Sequence, residues 1–313
     1  MAALDESVAV SSFRIFVWVA AVVGNSLIIY LVLSQRSLRR KGANLLFAQL
    51  ALADFIAGTE SGVRGVSVIL FDVFAFHDYT KRLCLLMAIP GLLGIHMSQS
   101  TMLMIAIDRL LCIKLPIFYR NLEGGRFAVL RFLLCVGFSI TMTGVAFVGI
   151  DERGDEKITV CSAGRSFSAW YTEYWVYLAC FFTLFIYVIY IAIYILFTRQ
   201  TNSSFGKSSI QKAIFFTMTA VLIAYFVLWC VPNTLFVIFK HLGMPQTVLG
   251  YNSSLIGLCS GVNSAANVLI YSWKHPELRA HMKMLLTGKK PTMFTASHLR
   301  SSIHIPATTI THA

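Results

Sequence analysis

The sequence predicts an all-α membrane protein, a seven-transmembrane helix bundle followed by an amphipathic helix 8. Of its 313 residues, 57% are apolar and only 13% are charged, whereas soluble domains hold about 45–50% apolar and about 25% charged residues. The apolar residues form seven runs, each long enough to cross a bilayer as a helix, which takes about 20 residues. The net charge of +12 is spread between these runs, so it does not predict a nucleic-acid partner.

The seven runs are expected to be helices because hydrocarbon leaves exposed backbone N–H and C=O groups unsatisfied. In chain order they cover residues 13–33, 43–71, 81–113, 127–150, 171–198, 210–240 and 248–272. The first run follows Asp5 and Glu6 instead of a basic segment and is too long for a signal-peptide core, so we expect it to be retained. Residues 1–11 are then a short extracellular N-terminus, and residues 12–272 form the bundle.

The distribution of lysine and arginine predicts the orientation in the membrane. The first, third and fifth loops and the C-terminal segment together hold seventeen of these residues, and the opposite side holds seven. Because basic loops favour the cytoplasm, the N-terminus is predicted to lie outside the plasma membrane and the C-terminus inside. Residues 273–287 carry apolar and basic residues on opposing faces, which predicts helix 8 on the inner leaflet. Residues 288–313 are rich in Ser and Thr and predict a disordered cytoplasmic tail.

Cys84 and Cys161 are the two of the seven cysteines that this topology places on the extracellular side. Exposed thiols in that oxidising compartment are expected to pair. The predicted disulfide would tether the second outer loop over the mouth of the bundle. Two free thiols are the alternative.

Few ionisable side chains lie inside the predicted spans, and residues of this kind often serve a function. Asp54 lies in mid-membrane, and polar side chains at matching depth could join it around a small cation. The predicted sodium site consists of Asp54, Ser98, Asn263, Ser264 and Asn267. Their carboxylate, hydroxyl and amide oxygens suit a hard cation. The alternative is a hydrogen-bonded polar core without an ion, and no other cofactor is predicted.

Five motifs, in order along the chain, resemble those of rhodopsin-like (class A) G-protein-coupled receptors. They are Gly24-Asn25, Leu50-Ala51-Leu52-Ala53-Asp54, Asp108-Arg109-Leu110, the segment from Phe226 to Pro232, and Asn267-Val268-Leu269-Ile270-Tyr271. The run from Asp108 to Pro116 and the ending Tyr271-Ser272-Trp273 are also similar to nematode serpentine chemoreceptors of class SX.

The resemblance implies a receptor, without enzyme activity, that converts binding of an extracellular ligand into activation of a heterotrimeric G protein. The ligand would be a small chemosensory molecule, and sensory cilia would be one location. The residues implied in G-protein coupling are Asp108, Arg109, Tyr271 and a fifth-helix tyrosine, Tyr190 or alternatively Tyr187. The alternatives are a neuropeptide receptor of the same fold and, from another class, a transporter or channel.

The resemblance also implies a conformational switch in the sixth and seventh helices, made of Phe226, Cys230, Pro232 and Asn267. Pro232 would supply the kink about which the sixth helix pivots. The sequence departs from the family pattern here, because Trp229 precedes Cys230 where the family has Cys before Trp. A second departure is Lys212, which stands where many relatives carry an acid and would repel Arg109.

Arg64, Gly91 and His96 are the candidate ligand contacts. Gly91 stands where amine-binding relatives place an aspartate, which predicts no biogenic-amine response through that mode. Arg64 lies ten residues outward of Asp54, about 15 Å along the helix, where it could meet an acidic or carbonyl oxygen of a ligand. The alternatives are a salt bridge between Arg64 and Glu60 and a satisfied core histidine at His96.

Overall fold

The computed structural model describes residues 7–75, 79–122, 125–150, 154–158, 161–201, 219–274 and 276–288. Within these ranges, seven helices are long and apolar enough to cross a membrane, which confirms the predicted bundle. They are α1 Val8–Ser34, α2 Gly42–Val73, α3 Lys81–Lys114, α4 Gly125–Val145, α5 Ala169–Thr201, α6 Thr219–His241 and α7 Gln246–Lys274, and α8 Pro276–Thr287 follows them. The predicted start of the sixth span at residues 210–218, Lys212 and the predicted tail from residue 289 lie outside the described residues.

Short helical segments connect the long helices at Arg36–Arg39, Pro116–Leu122 and Ala163–Ser166. One end of the bundle carries the Cys84–Cys161 disulfide and is called the disulfide end below. The opposite end carries Asp108 and Arg109 near the last turns of α3 and is called the Arg109 end. The predicted pairing of the two cysteines is confirmed.

The centre of the bundle is filled by apolar and aromatic side chains from most of the long helices. Buried members of this cluster include Ile28, Phe47, Ile105, Ile186, Trp229 and Tyr271. Large apolar residues also cover the outside of the helices, and Phe16, Leu184 and Leu269 are each more than two-thirds exposed there. An apolar exterior around a packed interior is expected of a bundle in lipid, where helix association depends on close packing.

Glycines let α2 approach both of its neighbours closely. A Cβ on Gly62 would overlap the ring of Trp18 in α1, and a Cβ on Gly94 of α3 would overlap the backbone of Ala57. Small residues at such crossings allow the backbones of membrane helices to come together. The approach fixes the positions of the polar residues that α2 carries toward the interior.

The fourth helix ends at Val145, five residues before the predicted end of its apolar run. Residues after it form short-range turns, in which Ala146 N donates to Thr143 O and Phe147 N donates to Gly144 O. Ala146 and Ile150 are nevertheless buried, in a cluster with Phe167 and Tyr171. The apolar composition of this stretch therefore indicated the burial of Ala146 and Ile150, but it did not show that the α-helix ends before them.

The roof segment, residues 161–168, covers the disulfide end of the bundle. Cys161 ties it to α3 through the disulfide. On the other side, the backbone N–H of Gly164 donates to Ser253 Oγ at 3.1 Å, and Arg165 donates to Gln246 at the start of α7. The roof is therefore held both to α3 and to α7.

The sixth helix contains a π-helical turn, Phe226–Cys230, directly before Pro232. A π turn holds one more residue than an α-helical turn and is often found at functional sites. Pro232 cannot donate a backbone hydrogen bond, so the irregular geometry is concentrated in this short stretch. The proline was the predicted irregularity, whereas the π turn was not predicted.

The predicted helix 8 is present as α8, Pro276–Thr287. Leu278 is buried in the central cluster that also contains Tyr271, while Leu285 remains about half exposed. One face of α8 thus packs beneath the bundle, and the helix begins immediately after the end of α7.

Candidate functional site

A cleft opens at the disulfide end between the helices and the roof segment. Its volume is about 630 Å³ with the open mouth included. Its apolar walls are formed by Leu92 and Ile95 of α3, Trp175 of α5, Phe236 of α6 and Ile256 of α7, with Phe167 from the roof.

The polar side of the cleft carries three ionisable side chains, Arg14 of α1 and Glu60 and Arg64 of α2. They are only 3%, 6% and 3% exposed. Arg14 Nη2 donates to Ser254 Oγ at 2.8 Å and approaches the Ser254 carbonyl oxygen at 3.4 Å. This contact joins the first helix to the seventh at the cleft.

Gly91 provides the space that the Glu60 side chain occupies. A Cβ on Gly91 would overlap the Glu60 carboxylate, and a Cβ on Gly257 would lie 3.6 Å from Glu60 Oε1. The carboxylate of α2 therefore lies between α3 and α7. A carboxylate is present beside Gly91 after all, but it comes from the neighbouring helix.

Two of the three predicted ligand contacts, Arg64 and Gly91, line the cleft, and His96 does not. His96 is fully buried, with Nε2 3.5 Å from the Tyr171 hydroxyl. Its ring lies edge-on to Trp175 at 5.2 Å between centroids. Arg14 was not predicted as a site residue, although a charged side chain inside the first apolar run was a signal that could have identified it.

Aromatic contacts lead from the cleft to α6. Trp175 lies edge-on to Trp229, with 5.9 Å between the ring centroids, and Trp229 stacks on Tyr225 at 6.4 Å. Trp229 and Tyr225 also line a second cavity of about 280 Å³ around Asp54. Trp229 is thus the side chain of α6 that contacts a cleft residue on one side and borders the Asp54 cavity on the other.

The Asp54 cavity gathers the residues of the predicted sodium site. Asp54, Ser98, Asn263 and Ser264 line it, and Asn267 Nδ2 donates to Asp54 Oδ2 at 2.8 Å. Within the described part of the chain, the buried side-chain oxygens of Asn263 and Asn267 have no hydrogen-bond partner. The carboxylate and these amide oxygens form a donor set that fits a hard monovalent cation. The described residues contain no cluster of three His, Cys, Asp or Glu for a transition metal.

Of the four predicted switch residues, Asn267 lies in α7, and the other three lie on different faces of α6. Phe226 is about half exposed and meets Tyr187 of α5 edge-on at 5.9 Å. Cys230 is buried, with its thiol 3.6 Å from Thr183 Oγ1. Pro232 is buried too, and its carbonyl oxygen accepts from Asn252 at 3.5 Å. Tyr225 and Trp229, which border the Asp54 cavity, therefore face the interior, and Phe226 does not.

Asp108 is the centre of a polar cluster at the Arg109 end. Its Oδ2 lies 2.9 Å from Arg109 Nη2, and its Oδ1 lies 2.6 Å from Arg131 Nη1 of α4. The Tyr119 hydroxyl donates to both carboxylate oxygens at 3.2 Å. Arg131 also lies over the Phe127 ring, 4.7 Å from its centroid.

The seventeen basic residues assigned to the first, third and fifth loops and the C-terminal segment include Arg131, and this cluster corrects its assignment to the third loop. Arg131 lies within α4 and is 7% exposed. An arginine in the first turns of a predicted span is compatible with a loop charge as well as with a buried ion pair, and the sequence alone does not show its partner.

The other predicted coupling residues pack near this end of the bundle. Tyr271 is buried against Phe47, edge-on at 5.2 Å, and Tyr190 packs on the same central cluster. The alternative tyrosine, Tyr187, donates from its hydroxyl to the Leu222 carbonyl oxygen at 3.3 Å. Tyr187 therefore connects α5 to α6 directly.

Comparisons with known proteins agree with the fold and the motifs. Residues 18–286 match the model of the serpentine type 7TM GPCR chemoreceptor Srsx. The chain is 27% identical over 296 residues to the adenosine receptor A3 of Ovis aries, covering 90% of each chain. It is 25% identical over 304 residues to trace amine-associated receptor 8b of Rattus norvegicus, covering 87% of this chain and 84% of the relative.

A third relative, lysophosphatidic acid receptor 3 of Homo sapiens, is 27% identical over 274 residues, covering 84% of this chain and 74% of the relative. These relatives are receptors of class A and not enzymes. The family match runs from α1 to α8 and includes the Asp54 cavity, the Asp108 cluster and the cleft apart from Arg14. The chain belongs to the serpentine 7TM GPCR chemoreceptor Srsx family, within the class A G-protein-coupled receptors.

Proposed function

We propose that this receptor binds a small extracellular ligand in the cleft and thereby activates a heterotrimeric G protein at the Arg109 end. The observation that carries the proposal is the contact from Trp175, which lines the cleft, to Trp229 of α6. A ligand that changes the packing of Trp175 alters the environment of the helix that contains the π turn and Pro232.

A ligand drives such a change only through different affinities for two conformations of the receptor. In the described conformation, Asp108 holds Arg109 as an ion pair. In the active conformation, α6 moves outward and Arg109 is released to hydrogen-bond a segment of the G protein, since a guanidinium has several donors in a fixed fork. The proposed orientation places the disulfide end outside the cell and the Arg109 end in the cytoplasm, at the plasma membrane and in sensory cilia.

The experiment is ligand-evoked nucleotide exchange on a panel of heterotrimeric G proteins, with the full-length receptor in membranes. A panel of small chemosensory compounds is expected to contain agonists, and Trp175→Ala is expected to abolish their effect with normal surface expression. Trp170→Ala is the matched control, since Trp170 lies at the outer surface of the same helix. Ligand-evoked current or uptake without nucleotide exchange would favour the channel or transporter class, and activation by peptides alone would favour a neuropeptide receptor.

We also propose that the Asp54 cavity binds a sodium ion that favours the inactive conformation. The proposal is supported by the Asp54 carboxylate and the amide oxygens of Asn263 and Asn267. Replacing a bulky organic cation by sodium should lower the affinity of an agonist found in the screen, and Asp54→Ala should remove this difference. A wild-type receptor whose agonist affinity does not respond to sodium would leave the cavity as a hydrogen-bonded core only.

A further inference from the structure

Resting on the proposed function, we infer that the cleft recognises a small amphipathic ligand with a carboxylate, whose head lies between Arg14 and Arg64. The apolar part of the ligand then lies against the aromatic walls on the α5 and α6 side. The inference concerns the chemistry of the ligand and is independent of which G protein the receptor activates.

The charge of the lining is the first argument. Among the described residues that line the cleft, the ionisable ones are Arg14, Glu60 and Arg64. One carboxylate neutralises one guanidinium, so the lining keeps one positive charge however these groups pair with one another. A buried charge costs free energy unless an opposite charge accompanies it. A ligand carboxylate supplies that charge, whereas a ligand ammonium adds a second positive one.

The geometry of the two arginines is the second argument. Arg14 is oriented from α1 by its hydrogen bond to Ser254, and Arg64 enters the same cleft from α2. A guanidinium binds carboxylates through parallel N–H donors, and hydrogen bonds of this kind are about twice as strong as neutral ones. The position between α1, α2 and α7 therefore suits an anionic head group, and a ligand bound there would contact all three helices.

The distribution of apolar surface is the third argument. Trp175, Phe236 and Ile256 line the same cleft from α5, α6 and α7, so one ligand meets charged and apolar side chains together. Pockets of this kind use apolar contact for affinity and a few polar groups for orientation. An aliphatic or an aromatic acid would contact both the arginines and the apolar side chains, whereas a small inorganic anion would contact only the arginines.

Glu60 gives the inference a distinctive consequence. Its carboxylate lies in the same cleft, between Gly91 and Gly257, and it competes with a ligand carboxylate for the arginines. Glu60→Gln removes this competition while it preserves the size of the side chain. The variant should bind acids more tightly than the wild type, by roughly tenfold if the lost interaction is about 1.4 kcal/mol.

The test measures the melting temperature of the purified full-length receptor with two matched series of probes. One series is hexanoate, hexanamide and hexylamine, and the other is phenylacetate, phenylacetamide and phenethylamine. A ligand that binds only the folded state raises the melting temperature by an amount that increases with its affinity and concentration. At least one of the two carboxylates is expected to stabilise the receptor, with much weaker effects of its amide and amine.

Arg14→Gln and Arg64→Gln should each weaken the effect of the active acid by about tenfold or more, and Arg126→Gln should leave it unchanged because Arg126 is exposed at the opposite end. Arg14→Lys and Arg64→Lys keep the charge and provide folded variants if the glutamine variants are unstable. The inference would be overturned if the amines stabilised the receptor more than the acids did. It would also be overturned if the acids stabilised the Arg14→Gln and Arg64→Gln receptors as much as the wild type, or if neither acid changed the melting temperature. Nucleotide exchange with the same probes tests the proposed function separately, because the melting temperature reports binding without a G protein.

Discussion

At the scale of single residues, Gly91 determines where the one carboxylate of the cleft can lie. Any side chain at this position of α3 would take the space of the Glu60 carboxylate. The charge pattern of the cleft thus depends on a residue that contributes no functional group of its own. The Glu60 carboxylate of α2 can therefore keep its position only while residue 91 of α3 is a glycine.

Gly91→Ala is therefore expected to destabilise the receptor, by about 1–3 kcal/mol as for other overpacked sites. Gly137→Ala is the matched control, since a Cβ there meets nothing within 4 Å. The melting temperatures of the two variants provide the comparison. Adding Glu60→Ala to Gly91→Ala should recover part of the loss, and a double variant no better than the single one would contradict the overlap.

Arg131 gives a second prediction at this scale. Arg131→Met removes one of two cations from the buried Asp108 carboxylate, which should cost on the order of 3 kcal/mol. Lys81→Met removes an exposed pair with Glu156 and should cost about 1 kcal/mol or less. Thermal unfolding of both variants measures the difference. Equal losses would show that the Arg131 pair contributes no more than a surface contact.

Sequence reasoning found the polar residues of the interior but not all of their partners. Asp54, Asn263 and Asn267 could be grouped because their depths in two spans follow from a rise of about 1.5 Å per residue. Arg14 could not be paired with Ser254, 240 residues away, since depth alone does not tell which sides of two helices face each other. The same limit applied to Arg131 and Asp108.

At the scale of elements, the seven spans were predictable because lipid requires continuous apolar helices. The π turn in α6 was not, since an extra residue in one turn leaves no mark in composition. It sets which side chains before Pro232 face the interior, and among them are Tyr225 and Trp229, which border the Asp54 cavity.

Trp229→Leu is expected to separate ligand binding from signalling. The cleft itself does not include Trp229 among its lining residues, so a bound acid should still raise the melting temperature. Evoked nucleotide exchange should fall by about tenfold or more, because the contact between Trp175 and α6 is lost; this magnitude corresponds to roughly 1.4 kcal/mol. Trp170→Leu serves as the control. Unchanged nucleotide exchange in the Trp229→Leu receptor would exclude the contact between Trp175 and Trp229 as the route from ligand binding to signalling.

At the scale of the whole molecule, the orientation of the bundle decides which end meets the ligand. Leu242→Cys places a thiol at an exposed position of the disulfide end, and Ile117→Cys places one at the Arg109 end. A membrane-impermeant maleimide added to intact cells should label the first and not the second, because basic loops remain in the cytoplasm. The wild type controls for natural cysteines, and the reverse labelling pattern would invert the proposed topology.

The hydrogen bond between Arg14 and Ser254 also has a consequence for biosynthesis. The ribosome completes α1 early and α7 last, since a chain is made from its N-terminus. Until α7 has inserted, Arg14 lacks its Ser254 contact and the wall formed by Ser253, Ser254 and Ile256 does not exist. Nascent or truncated chains that end before this helix can therefore enter the membrane with most of their spans, yet they have no complete cleft.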